Sequence, residues 1–281
     1  MEKYSFTKLQ GAGNDFILFD LDQHPHVAIT SQSVSALCHR RFGIGADGVL
    51  LYSRIDEMTV AMRYLNADGS ESGFCGNGAR AVARYFFDEY APLKRAVTID
   101  FHGARYTAAL QPDDSITMSF PSVDRIKRNI GVVLFGKQLS VDFVDTGAPH
   151  IVIDVDELTP LFEGEFSGLH DFPVTIYGKE LRYHPAFQPE GVNANFVSVQ
   201  PDGLQIRTYE RGVEDETLAC GTGSVASAIA MNIRGKSGSP VTLTTRSGEE
   251  FTVALSEDGS IMKDITLTGR ASAVFTGVIS I

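Results

Sequence analysis

This chain repeats itself, and the repeat constrains its fold more than any other feature. Glu71 and Cys75 recur as Glu216 and Cys220, both 145 residues later, and both copies read Glu-x-x-x-Cys-Gly-[Asn/Thr]-Gly-x-x-Ala-x-Ala. Three flanking segments recur in the same order. "GIGADGVLL" (43–51) matches "GVNANFVSV" (191–199), "MRYLNADGSE" (62–71) lies over "IRTYERGVEDE" (206–216), and "VTIDFHGARYTAALQPDDSI" (97–116) aligns with "VTLTTRSGEEFTVALSEDGSI" (241–261). Segments recurring in order at nearly the same spacing imply two homologous halves made by duplication, with a boundary near Pro121.

Each half reads mostly as strands. The alternating runs "ARYTAAL" and "SITMSF" flank the turn "QPDD", and "FVSVQPDGLQIRTY" reads as a hairpin with Asp-Gly at its tip. Each half also carries one long helix, from Gly76 to about Tyr90 and from Gly221 to about Arg234. Both are Ala-rich and apolar on most faces, which predicts burial. A shorter helix is expected near residues 31–41. The expected fold is therefore α/β (α+β): two pseudo-symmetric duplicated domains, each a curved, mostly antiparallel sheet or barrel around a central helix.

Composition narrows the function classes. The 35 acidic residues against 24 basic ones give a net charge of −11, which argues against nucleic acid or an anionic membrane as a partner. No apolar run of signal-peptide or membrane-span length is found. Three cysteines (Cys38, Cys75, Cys220) are too few for a disulfide framework, so a reducing cytoplasm is expected. Cys38, beside Leu37, reads as an inert core residue.

The two repeated cysteines stand where helices begin. A helix N-terminus leaves about four backbone N–H groups without intrahelical partners and carries roughly half a positive charge. A thiol there is expected to ionise below the ~8.5 of a free cysteine. The same N–H groups can bind a carboxylate, and Gly76 and Gly221 let it approach closely. If pseudo-symmetry sets the two helix starts face to face across a cleft, a ligand there lies between two sulfurs. Acid and base of equal strength on opposite sides suit the removal of a proton from one face of a carbon and its return on the other, as in racemisation or epimerisation. With no nucleotide- or pyridoxal-binding signature, the carbanion is expected to be stabilised without cofactor or metal.

The motifs "KLQGAGNDF", "GIGADGVLL", "NADGSESGFCGNGAR", "GAPHIV", "GVNANF" and "YERGVEDETLACGTG" resemble, in order from about Lys8 to Thr222, those of the diaminopimelate epimerases. The resemblance implies a cofactor-independent isomerase that interconverts LL- and meso-diaminopimelate on the route to lysine and peptidoglycan. It also implies a final strand that returns to the first domain, giving halves of 1–120 with 271–281 and 121–270, and a possible homodimer. Carried over by motif, Cys75 and Cys220 would be the catalytic bases, supported by His150 and Glu210. Backbone at Gly76–Asn77 and Gly221–Thr222 would hold the reacting carboxylate. Asn14, Asn66, Asn193, Glu210 and Arg211 would contact the substrate, Arg211 pairing with its distal carboxylate.

Some positions depart from the family pattern. Many members carry Gly-Asn-Pro-His where this chain has Gly147-Ala148-Pro149-His150, and some carry Gln in place of Gly48. An insertion around Val213–Asp215 lengthens the loop before Cys220. A cofactor-independent racemase of another amino acid, for example histidine, stays open through Ala148. A thiol redox or metal-binding protein is the more distant alternative, although no Cys-x-x-Cys is present.

Overall fold

The alternating runs become strands in the computed structural model, which describes residues 2–281; Met1, where the expected first half begins, lies outside them. The chain divides into two units, Met1–Ser119 with Thr268–Ile281 and Phe120–Leu267.

The first unit runs β1 (Lys3–Gly11), β2 (Asn14–Asp20), α1 (Ser31–Cys38), β3 (Gly48–Arg54), β4 (Thr59–Asn66), α2 (Gly76–Glu89), β5 (Ala96–Phe101), β6 (Ala104–Leu110) and β7 (Ile116–Ser119). The second runs β8 (Ile126–Leu134), β9 (Lys137–Asp145), β10 (Pro149–Asp154), α3 (Val155–Leu158), α4 (Val174–Arg182), β11 (Asn193–Gln200), β12 (Gly203–Glu210), β13 (Asp215–Thr217), α5 (Gly221–Ile233), β14 (Val241–Thr244) and β15 (Glu250–Asp258). β16 (Ile261–Gly269) leads out of it, and β17 (Ser272–Ser280) lies antiparallel to β1.

Both units use one pairing scheme. In the first, β1 is antiparallel to β2, β2 parallel to β3, β3 antiparallel to β4, β4 parallel to β5 and β5 antiparallel to β6. The second repeats this with β9, β10, β11, β12, β14 and β15. The shared scheme is the structural record of the duplication.

Each sheet curls around its long helix. α2 packs against β1 through β7, and α5 against β9, β10, β11, β12, β14 and β15. A helix touched on most sides needs small or apolar residues on most faces, and Ala79, Ala81, Val82 and Ala83 are completely buried, as are Val225, Ala226, Ala228 and Ile229. Gly11 shows how tight this is: a Cβ there would stand 3.1 Å from the Asn77 carbonyl oxygen.

The outer faces carry a second layer of helix. α1 joins Ile17, Phe19, Val49 and Tyr4 in an outer core, capped by Thr30 and Ser33 in a reciprocal capping box. In the second unit α4 does the same over β11, β12 and β13, burying Val174, Tyr177, Gly178 and Leu181. That i, i+3, i+4, i+7 pattern is a helix signal which the strand-dominated reading of the chain passed over. Gly178 permits the contact, because a Cβ there would stand 2.3 Å from that of Tyr209. Among the described residues no helix is long and apolar enough to cross a membrane.

Candidate active site

Both repeated cysteines are helix N-caps. Cys75 opens α2 with φ −114° and ψ 108°, and Cys220 opens α5 with φ −118° and ψ 112°. This extended conformation at the cap leaves the following N–H groups pointing out of the helix.

In the first unit two of the expected residues, Asn14 and Asn77, come together at the Cys75 cap. The Gly78 N–H donates to its sulfur at 3.4 Å, and the thiol donates to Asn14 Oδ1 at 3.7 Å. Asn77 Nδ2 donates to the same oxygen at 3.5 Å, while Asn77 Oδ1 accepts from buried Arg80 at 2.6 Å. Asn14 reaches the cap because Ala12 (φ 55°) and Gly13 (φ 85°) make a tight left-handed turn just before it.

The orientation of Asn14 is imposed from behind. Its Nδ2 donates to Asp47 Oδ2 at 2.7 Å, and a carboxylate oxygen can only accept, so Oδ1 must face Cys75. Arg40 bridges Asp47 and Asp15, each at 2.7 Å, and buried Lys8 pairs with Asp15 at 2.7 Å. Those cations hold the Asp15 carboxyl below the usual range against the opposing cost of burial. Asn66 lies at the end of β4 and donates to Ser70 in its own turn, at 3.1 Å.

In the second unit the Cys220 sulfur stands 3.5 Å from the Thr222 hydroxyl, and the Thr222 carbonyl accepts from Thr146 at 3.4 Å. His150 and Asn193 are register partners on parallel strands β10 and β11. Asn193 is itself buried: its Nδ2 donates to the Pro149 carbonyl at 3.1 Å, and its Oδ1 accepts from the Arg211 N–H at 2.8 Å. It therefore aims Arg211, whose guanidinium also donates to the Glu190 carbonyl at 3.3 Å. Glu210, half-buried, ends β12. His150 is completely buried, and burial, reinforced by the Arg211 charge, pushes its pKa down to about 3.

Reading by motif missed several residues that shape these caps. The motif glutamates are anchors: Arg63 pairs with Glu71 at 3.0 Å, and Arg207 pairs with Glu216 through two bonds of 2.7 Å. Asp47 and Asn195 sit inside "GIGADG" and "GVNANF", yet their partners lie on other strands and only register reveals them. Cys38 is buried in the outer core, with its pKa raised to about 11 mainly by burial. Gly48 has no room for glutamine: a Cβ there would stand 2.4 Å from both the Leu65 carbonyl oxygen and the Tyr64 ring. Among the described residues no group of three or more His, Cys, Asp or Glu side chains is placed to hold a metal ion.

Two units of one topology, each with a cysteine capping its central helix, define a duplicated α/β fold of the epimerase type. The same fold is seen in a phenazine biosynthesis protein of the PhzF family from Bacillus anthracis, at TM-score 0.72 and 13% identity with both chains fully covered. A hydroxyproline epimerase from Agrobacterium vitis aligns at TM-score 0.69 and 16% identity, covering 99% of this chain and 92% of that one. In sequence, the diaminopimelate epimerase family model matches residues 6–123 and 143–274. Relatives named diaminopimelate epimerase from Archaeoglobus fulgidus (35% identical, covering 99% of this chain and 96% of theirs) and Aquifex aeolicus (33%, 98% and 97%) align over nearly their whole length. The chain belongs to the diaminopimelate epimerase family and is an isomerase.

Proposed function

We propose that this enzyme interconverts LL- and meso-diaminopimelate at the α-carbon, with Cys75 and Cys220 as the two bases. The observation that carries the assignment is the duplicated cap: each unit ends a loop in a cysteine of the same backbone conformation at the start of its buried helix. One cysteine, as thiolate, takes the α-proton. The C–H electron pair moves into the carbanion and its adjoining carboxylate, and the other cysteine, as thiol, returns a proton to the opposite face. Thiol and thiolate have then exchanged places.

Backbone N–H groups at Gly76–Asn77 and Gly221–Thr222 bind the carboxylate, where charge accumulates as the proton leaves; one such donor is worth roughly 2.7–4 kcal/mol elsewhere. Arg211, aimed by Asn193, takes the distal carboxylate, with Asn14, Asn66 and Glu210 contributing contacts. His150, buried and neutral, supports the thiol of Cys220 without carrying charge. No cofactor enters the scheme. The product feeds lysine and peptidoglycan precursor synthesis in the cytoplasm. Three free cysteines are in keeping with that compartment, and light scattering is expected to show a homodimer.

Deuterium wash-in from heavy water at the α-carbon of both diaminopimelate isomers tests the scheme, using Cys75→Ser and Cys220→Ser. Absence of exchange, or full epimerase activity in either variant, defeats it. A related racemase activity is the second reading, resting on Ala148: by strand register it stands where the first unit has Asn14. A panel of amino acids that includes histidine separates the two.

A further inference from the structure

The two units differ behind their capped helices. Phe16 pairs with Gly48 as His150 pairs with Asn193, and Leu50 pairs with Tyr64 as Asn195 pairs with Thr208. The helix glycines give the same equivalence. A Cβ on Gly78 would meet Leu50 at 3.2 Å, and one on Gly223 would meet Asn195 Oδ1 at 2.3 Å. The apolar set Phe16, Leu50 and Tyr64 of the first unit is thus His150, Asn195 and Thr208 in the second. Asn195 and His150 are completely buried and Thr208 nearly so.

The polar set has one consistent proton arrangement. The Ile151 carbonyl only accepts, so the Asn195 atom 2.8 Å from it is Nδ2. The Thr208 hydroxyl donates to Oδ1 at 3.0 Å. The same Nδ2 stands 3.2 Å from His150 Nδ1, which must accept and therefore carries no proton. In a neutral ring the proton is then on Nε2. Nε2 is buried and has no hydrogen-bond partner among the described residues. His150 sits on β10, against which α5 packs, and a Cβ on Gly223, in the first turn of α5, would stand 2.3 Å from Asn195 Oδ1 and 3.3 Å from the Cys220 Cβ.

We propose that Asn195 is a positioning residue: it locks His150 as the Nε2–H tautomer and holds a buried neutral donor at the start of α5 for negative charge on Cys220. This rests on the reading of Cys220 as one of the two bases. The orphaned Nε2–H is satisfied when the thiolate forms and loses its partner when the thiol returns. The first unit has Phe16 at the matching position and offers Cys75 the Asn14 carbonyl instead, an acceptor that favours the thiol. Of the groups on the elements packed against β10, Val144 on β9 and Asn193 on β11 do not ionise, Asp142 and Asp145 of β9 are held by Arg234 and Arg125, α5 opens with Cys220, and Arg211 acts on the ring by its charge.

Nitrogen NMR of protein labelled with 15N-histidine, with His150 assigned by difference from His150→Gln, reads the tautomer directly. Wild type is expected to show an unprotonated Nδ1 and a protonated Nε2 from about pH 5 to about pH 9. Asn195→Asp places an acceptor opposite Nδ1 and reverses the tautomer. It is expected to lower kcat about 10–100-fold with little change in KM, and to raise the pH midpoint of Cys220 alkylation. A protonated Nδ1 in wild type overturns the proposal, whatever the variant does. So does a reversed tautomer that leaves kcat and alkylation unmoved, or an Asn195→Asp protein unchanged in all three. The ring spectrum and the wash-in experiment are independent, so the tautomer lock and the two-base assignment can fail separately.

Discussion

Cys75 and Cys220 occupy the same place in the same repeat, yet their surroundings have diverged. Cys75 donates to an asparagine carbonyl held in place by a charged network of Lys8, Asp15, Arg40 and Asp47, with Phe16 packed edge-on against Tyr64. Cys220 is more buried, touches the Thr222 hydroxyl, and stands in a unit with a buried network of His150, Asn195 and Thr208. The difference teaches that duplication fixed the shared feature, a thiol at a helix start, while each half set its own hydrogen-bond polarity around it. The proposed two-base scheme needs both thiols to be competent, but it does not need them to be built alike.

The comparison breaks first at the cysteines. Cys75→Ala and Cys220→Ala are each expected to lower kcat about 10²–10⁴-fold in both directions. A variant that keeps full epimerase activity would show that the two thiols do not share one catalytic cycle.

Acid stability is the next largest effect, and its histidine part belongs to the second unit. The folded-state pKa of His150, about 3, lies below its unfolded value of about 6.5. The unfolded chain therefore takes up a proton that the native state refuses. Between those two pH values the native state loses up to about 1.4 kcal/mol per pH unit, and above the upper one the residue costs nothing by this route. His150→Phe, which copies the first unit, is expected to unfold at lower pH than wild type. Acid titration followed by circular dichroism measures it, and an unchanged midpoint contradicts the buried neutral ring.

Two paired substitutions sharpen the contrast further. Arg207 is mostly buried, holds Glu216 bidentately and also ties down the carbonyls of Leu169 and Phe172, each at 2.8 Å. Glu216→Gln is expected to cost about 3 kcal/mol in denaturant unfolding. Its repeat partner Glu71→Gln should change little, because the Arg63–Glu71 pair is open to solvent. Gly223→Ala drives a Cβ into Asn195 and is expected to cost about 1–3 kcal/mol, whereas Gly78→Ala meets only the flexible tips of Leu50 and Met62 and should cost less. Equal costs at either pair would show that the two backings are less different than their contacts imply.

Much of this was legible in the chain, for local reasons. A cysteine followed by Gly-x-Gly and an Ala-rich run is a helix start whatever surrounds it, and the same pattern 145 residues later announced two halves. The nine-residue α4 is hard to read from the chain because it is short and interrupted by Gly178. The match of "GIGADGVLL" to "GVNANFVSV" lies three residues from the strand register, which sets Gly48 against Asn193 rather than Phe196. Small and apolar residues fill both runs, so sequence likeness alone does not choose the offset. The contacts of Gly78 and Gly223 do.

By itself, then, the sequence determined the duplication, the two capping cysteines and the family, because each is written in residues close together or at one fixed spacing. Only the tertiary structure decided which groups surround each thiol. Asn195 meets His150 across 45 positions of chain, and Thr208 meets Asn195 across a hairpin, because parallel and antiparallel registers placed them side by side. The direction of a hydrogen bond depends on what stands at its other end. In a buried site that partner comes from a different strand.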